Sequence, residues 1–326
     1  MQVASVRGTV LWAVAALVLV AVHALVNPPQ LSLFWTEALN AGHTPLYAVV
    51  AVLVLVSTRR TSARWPFRWT GAITLVAACV SELAQIGGPR SAEWQDFARN
   101  CAGGGAGLLL AYAWAGRAPK GVGDRDYPVP HRRAREAAIA LAVLFLTLSF
   151  VRLANVSVAY LGRDRAFPVI WDFGSAWSHD FVKSGGGAQL EIVSAPEAWE
   201  GPSHHKVGRL TVLPDESPGL VFREVHPDWR GYDRLVLEVF SELDEPVRLE
   251  LRVNDERHDE DYHDRFNREI LIQPGENRIT VSLDDIRRAP RGREMDMGRV
   301  RTVVLFSFRP ERAFALHVGR GWLERI

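Results

Sequence analysis

Between two apolar runs the chain places Glu82, Gln85, Arg90, Asp96, Arg99 and Asn100, within the stretch SELAQIGGPRSAEWQDFARNCAGGG at 81–105. Carboxylates, amides and guanidinium groups in such a setting suit three kinds of chemistry. A guanidinium such as that of Arg90 can hold a phosphate through two parallel bonds. His43 or Glu82, together with Asp96, can serve as general acid or base where a bond is broken, so His43, Glu82 and Asp96 are the catalytic candidates. The third role is a buried network that locks helices together. On the residues alone, binding, catalysis and locking all stay open; the candidate ligand-binding set is His43, Glu82, Gln85, Arg90, Asp96 and Asn100.

The elements that position these groups read as membrane helices. A span takes roughly 20 apolar residues to cross about 30 Å of hydrocarbon. Five segments approach that length, at 9–26, 43–57, 69–86, 97–115 and 136–155. The first also reads as a signal peptide, with Arg7 ahead of it. Against that, no small-x-small cleavage site follows it and four more spans do. One basic loop holds Arg59, Arg60, Arg64 and Arg68, and another holds Arg117, Lys120, Arg125, Arg132, Arg133 and Arg135. Both belong on the cytoplasmic side by the positive-inside rule. The expected topology therefore has a cytoplasmic N-terminus and an extracytoplasmic C-terminal half, and it puts 81–105 at the outer ends of the third and fourth spans.

Helical spacing then groups the polar residues. Glu82 and Gln85 are three apart, Asp96 and Asn100 four apart, so each pair shares a face. Gly103 and Gly107 continue the second face as a small-residue strip, the kind that lets two membrane helices approach closely. His43 opens the second span. Ionisable groups at such depth are costly unless paired or wetted, which makes them functional candidates by default; the plainer alternative has Glu82 and Arg90 capping helices at the headgroups.

Taken together, His43, Glu82-x-x-Gln85, Arg90, Asp96, Asn100, Gly103 and Gly107 resemble the signature of the VanZ-like membrane family, over about residues 10 to 116. The resemblance implies a small bundle of four or five helices, in a family named for a protein associated with glycopeptide-antibiotic resistance. It also implies a departure: Leu39 and Asn40 stand where the family carries an acidic–basic pair just before the histidine. A phosphorylated lipid headgroup, above all a polyprenyl-phosphate-linked glycan, is the ligand class that suits such a cluster at the outer face.

Beyond about residue 165 the apolar period changes from helical to alternating. In VRLELRV, Val247, Leu249, Leu251 and Val253 fall on one face and Arg248, Glu250 and Arg252 on the other; NRITVSL repeats this with Ile279, Val281 and Leu283. QPGEN at 273–277 reads as a turn. About eight or nine short strands predict a β-sandwich. WRGYDRLVLEVF, RVNDERHDEDYHDRFNREILIQPGENRITVSLDDI and MDMGRVRTVVLFSF resemble the galactose-binding-like jelly roll shared by many carbohydrate-binding modules. That resemblance implies a glycan partner without naming its contact residues.

Several features point less far. Asp255, His258, Asp259, Asp261, His263 and Asp264 have metal-ligating composition, but their irregular spacing favours a solvated inter-strand loop. No metal site is assigned; a structural calcium in the sandwich is possible, with no assignable ligands. Trp171, Trp177, Trp199, Trp229 and Trp322 suit core packing better than sugar stacking, and His204–His205 sits in a surface loop. No cofactor motif is present, because GGG at 103–105 lies in a span with no strand before it. Net charge is only +1, and the basic run HRRARE at 131–136 lies between spans, so it speaks for anionic lipid rather than nucleic acid. Only Lys120, Lys183 and Lys206 of the 38 basic residues are lysine, a bacterial GC-rich bias. Cys79 and Cys101 both lie in apolar runs, which argues against a disulfide framework.

The expected whole is a multi-domain membrane protein of the bacterial inner membrane. It comprises a four-helix domain at 1–116, a basic loop, fifth helix and linker at 117–160, and an extracytoplasmic all-β sandwich at 165–326. Its expected role is binding glycan or lipid-linked glycan. Alternatives are a membrane-embedded enzyme on polyprenyl-phosphate-linked sugars, or a scaffold whose sandwich binds a protein.

Overall fold

The computed structural model describes residues 10–19, 32–60, 65–83, 94–114, 130–200 and 206–326. The chain divides into two compact units, Met1–Asn155 and Val156–Ile326.

The first unit is helical. Its elements are α1 (Val10–Leu19), α2 (Leu33–Arg60), α3 (Pro66–Leu83), α4 (Trp94–Trp114) and the first part of α5 (Arg132–Ala166). Helix α2 packs chiefly along α4, and the reason is visible in α4's glycines. A Cβ on Gly103 would lie 2.2 Å from the Thr44 carbonyl oxygen, and one on Gly107 would lie 2.3 Å from that of Ala48. Only hydrogen side chains let the two backbones come this close. Gly104 turns the other way, with its missing Cβ 2.7 Å from Thr74 Cγ2 of α3. Ala48, Ala106 and Ala142 form a small apolar cluster joining α2, α4 and α5.

Among the described residues, α2 and α5 are long and apolar enough to cross a membrane. This differs from the five expected spans. Helix α4 spends its first seven residues on a segment containing Gln95, Asp96, Arg99 and Asn100, and α3 has eighteen residues that include Arg68 and Glu82. Charges at these places lower the mean hydropathy of both helices. Helix α1 is described over ten residues only.

The second unit is a β-sandwich preceded by the last turns of α5. Its strands are β1 (Val169–Trp171), β2 (Val182–Gly185), β3 (Ala188–Ser194), β4 (Lys206–Val212), β5 (Gly219–Arg223), β6 (Arg234–Ser241), β7 (Val247–Asp255), β8 (Phe266–Ile272), β9 (Gly275–Ser282), β10 (Val300–Phe306) and β11 (Phe314–Glu324), with a short helix α6 (Leu283–Arg288). One sheet has the order β3-β4-β11-β6-β9 with β1 added on β11; the other has the order β2-β5-β10-β7-β8. All pairings are antiparallel.

Period-two alternation builds the core. Leu249, Leu251 and Val253 of β7 are fully buried, in one apolar cluster with Leu220 and Phe222 of β5 from the same sheet and Leu235 and Leu237 of β6 from the opposite one. Trp171 and Trp229 belong to that core, and Trp171 stacks on Phe222 at 4.1 Å between centroids. Trp177, Trp199 and Trp322 are half-buried. Ile279, Val281 and Leu283 of NRITVSL all join the core as expected, but the strand ends at Ser282: Leu283 opens α6, where Ser282 Oγ accepts from the Asp284 amide at 3.2 Å. An N-cap serine starts a helix there because its oxygen satisfies an otherwise orphaned N–H.

The last turns of α5 are held inside this unit. Gly162 lies against Trp177, Arg163 Nη1 donates to the Glu224 carbonyl at 2.8 Å, and the Tyr160 hydroxyl bonds the Glu224 carboxylate. The Arg163 guanidinium stacks over the rings of Tyr160 and Phe181. Ala166 ends the helix and Val169 begins the first strand, so two residues join them where a linker was expected.

Candidate functional site

In the helical unit a chain of polar groups runs through the buried interior. His43 and Asn100 are fully buried, Asp96 and Glu82 nearly so. Helix α2 supplies His43; α4 supplies Asn100 two turns before the close contact at Gly107. The His43 Nδ1 lies 3.0 Å from Asn100 Oδ1, and Asn100 Nδ2 donates to Glu82 Oε1 at 3.0 Å. The amide thus bridges imidazole and carboxylate, with its orientation set by both partners. On the other side of the ring, His43 Nε2 stands 4.0 Å from Asp96 Oδ2. Asp96 is itself paired with Arg99, one turn on.

Three neighbours complete the cluster. Thr44 Oγ1 donates to the Arg99 carbonyl at 3.3 Å, the Tyr47 hydroxyl donates to Ser81 Oγ at 2.8 Å, and Ser81 donates on to the Ala78 carbonyl at 2.9 Å. Sequence reasoning passed over Tyr47 and Ser81. Tyr47 lies one helical turn beyond His43, and Ser81 precedes Glu82, so both carried a spacing signal. The structure therefore brings together His43, Glu82, Asp96 and Asn100. Gln85 and Arg90 lie outside the described residues. Chemically, the arrangement can relay a proton between a carboxylate and an imidazole through an amide only by tautomeric change; as it stands it is a hydrogen-bonded bridge between three helices.

Two concavities stand out among the described residues of the sandwich. The larger, about 830 Å³, lies where Trp229, Tyr232, Ser282 and Met297 meet. Its charged rim is mostly engaged with the protein itself: Arg230 grips Asp228 at 2.7 Å, Arg287 holds Asp284 and Glu294, and Asp233 accepts from the Ile326 amide at 2.7 Å.

The smaller is a trough of about 370 Å³ on the outer face of the β2-β5-β10-β7-β8 sheet. Register dictates what lines it. Thr302, Val304 and Phe306 of β10 are paired with Arg223, Val221 and Gly219 of β5 on one side, and with Asn254, Arg252 and Glu250 of β7 on the other. These alternate with the core residues and face outward. Gly219 leaves room beside Phe306, where a Cβ would lie 2.4 Å from that residue's own. His258 and Glu260, from the β7–β8 connection, close one end, and Ser217 and Gly186 the other. The Arg252 guanidinium lies 4.9 Å over the Phe306 ring. Among the described residues, the side chains of Asn254 and Thr302 bond to no other protein group. Burial, followed by the nearby Glu269, raises the pKa of Glu250 above the ordinary carboxylate value.

The acidic loop beside the trough resolves into a clamp. Arg293 donates to Asp255 through Nη1 at 2.6 Å and Nη2 at 2.8 Å, and Nη2 also reaches Asp264 at 2.8 Å. The Asp296 amide adds a bond to Asp255 at 2.7 Å. The Arg293 bonds hold Asp264 at about 2. Burial alone would raise Asp255, but its bonds to Arg293 and the Asp296 amide bring it below the usual carboxylate value. His258, Asp259 and Asp264 have ligand atoms within 4.8 Å of one another, yet both Asp264 oxygens already accept from the guanidinium. The counter-charge of this cluster is Arg293. Asp261 and His263 are exposed. Arg293 gave no local signal, because it meets Asp255 across 38 residues.

No known family profile matches the chain, and no curated protein matches it. Among solved structures the chain is similar to the Family 11 carbohydrate-binding module from Clostridium thermocellum in complex with a β-1,3-1,4-mixed-linked tetrasaccharide, at 11% identity, covering 44% of this chain and 87% of that one, with a TM-score of 0.35. It is similar to an exo-β-agarase at 14% identity, covering 48% of this chain and 25% of that one, with a TM-score of 0.40. It is also similar to the CBM22-1 xylan-binding domain of Paenibacillus barcinonensis Xyn10C, at 9% identity, covering 48% of this chain and 96% of that one, with a TM-score of 0.33.

Proposed function

We propose that this is an integral membrane protein of the bacterial envelope that binds glycan, free or lipid-linked, in the trough on the β2-β5-β10-β7-β8 sheet. One observation carries the reading. The trough combines apolar floor, Val221 and Val304, with polar side chains that are not committed elsewhere, Asn254 and Thr302. A sugar offers the matching surface: C–H patches flanked by hydroxyls that both donate and accept. Sites of this kind pair an apolar lining with a few placed polar groups, and typical volumes begin near 300 Å³. The larger concavity suits this less, since Arg230, Arg287 and Asp233 are already bonded within the protein.

The resemblance of the helical region to the VanZ-like family, five apolar segments and the two arginine-rich loops support the finer reading. In it the chain crosses the inner membrane five times, with a jelly-roll sandwich on the extracytoplasmic side. The test is glycan-array binding by the full chain in detergent micelles, compared with Asn254→Ala/Thr302→Val. Binding lost in the double variant is the expected result. A blank array, or binding indifferent to the substitutions, rules the reading out.

A membrane-embedded enzyme acting on polyprenyl-phosphate-linked sugars is a second reading, favoured by the buried His43–Asn100–Glu82 bridge beside Asp96. Its test is product formation from a polyprenyl-linked glycan. Turnover that Glu82→Gln abolishes supports it; binding without turnover excludes it.

A further inference from the structure

The trough holds a positive charge without a counter-charge. Arg252 is half-buried on β7, and its Nε is covered and donates to nothing. The guanidinium forms no ion pair among the described residues, although Glu250 and Glu260 are near. Burial presses its pKa below the ordinary arginine value, the like charge of Arg265 adds to that, and Glu260 and Glu250 counter it less. The Phe306 ring beneath fixes the plane of the guanidinium by a cation–π contact and removes water from one face. Arg293, by contrast, has two carboxylates on it, and Arg223 and Arg320, whose Nε atoms are likewise covered, do not line the trough. Arg252 is the one at the floor of a cleft, beside Asn254 and Thr302.

We infer that the trough takes an acidic glycan: a sugar unit bearing a carboxylate, whose oxygens meet the Arg252 guanidinium while neighbouring hydroxyls meet Asn254 and Thr302. A planar carboxylate matches the guanidinium fork, and the match is stronger where water is thin. A neutral glycan would leave Arg252 covered and still unpaired. The inference rests on the glycan reading of the trough.

The experiment is calorimetric titration of the full chain in detergent with tetramers of galacturonic, glucuronic and mannuronic acid, each beside its carboxyl-reduced counterpart, and with free galacturonate. The expected result is at least tenfold tighter binding of one acidic tetramer than of its reduced form. Arg252→Gln should bring the two to the same weak level, and Arg252→Lys, which keeps charge but loses the fork, should fall between. Unchanged melting temperature and sheet circular dichroism identify variants that remain folded. Equal binding of acidic and reduced tetramers overturns the inference and leaves the glycan reading standing. Free galacturonate binding as tightly as the tetramer also overturns it, since the site is then one for simple anions. Failure of every tetramer overturns both readings.

Discussion

Gly103 stands against the Thr44 carbonyl so closely that a methyl group on it would lie 2.2 Å from the oxygen. Such a distance is well inside contact, and the obstacle is backbone, which cannot rotate away. Gly103→Ala should therefore push α4 off α2, at a cost of about 1–3 kcal/mol as overpacking. Gly105→Ala is the control, because its Cβ would meet only Phe145 at 3.9 Å. Thermal unfolding in detergent, followed by helical circular dichroism, checks this. Equal stability of the two variants would contradict the close approach.

Asn100 is the hinge of the buried polar chain, accepting toward His43 and donating to Glu82. Asn100→Leu removes both bonds while filling the volume. Buried groups deprived of a partner cost about 1–3 kcal/mol each. The variant should unfold earlier than Asn100→Asp, which keeps an acceptor oxygen for the His43 ring nitrogen. Thermal unfolding of both in detergent separates them; equal midpoints would deny the bridge a structural role.

Arg293 neutralises two carboxylates on separate elements, and breaking a covered pair strands the remaining charge. Arg293→Met should cost about 3–5 kcal/mol. The pH dependence gives a second readout. Asp264 is held at about 2, below its unfolded value near 3.8. A depressed carboxylate contributes stability that is complete above the unfolded value and disappears as pH falls toward 2. Wild-type protein should thus lose stability between about pH 4 and pH 2. In Arg293→Met that slope should flatten or reverse, because acid then neutralises stranded carboxylates. Urea midpoints measured from pH 2 to 7 decide.

Ser282 turns a strand into a helix. Ser282→Ala should lower stability by about 1 kcal/mol through loss of the cap, and hydrogen exchange should accelerate at Asp284 ahead of the rest of the sandwich. Uniform exchange across β9 and α6 would deny the cap that role.

How much of this was legible beforehand depends on range. Strand β7 was readable because its alternation is local: Leu249, Leu251 and Val253 inward, Arg248 and Glu250 outward. Leu283 lies on the buried side that the run NRITVSL assigns it, but as the first residue of a helix, because Ser282 supplies a cap that the period does not reveal. Asp96 and Asn100 share a helical face by spacing alone, but their meeting with His43 is a tertiary event that no local rule contains. The clamp on Asp255 was hidden for the same reason. Composition alone yields five apolar segments, while the charges of α3 and α4 depend on where each helix begins and ends, which composition does not fix. In the trough, Arg252 falls on the outward side of β7 as its spacing predicts, yet its lack of a carboxylate partner at the floor of a cleft is a tertiary fact that alternation does not contain.

The union of Gly162, Arg163 and Tyr160 with Trp177 and Glu224 has a mechanical consequence. The closing turns of α5, from Val156 on, and the strand that starts two residues after them belong to one packed body, so a pull on those turns reaches the sandwich core without first straightening a loose tether.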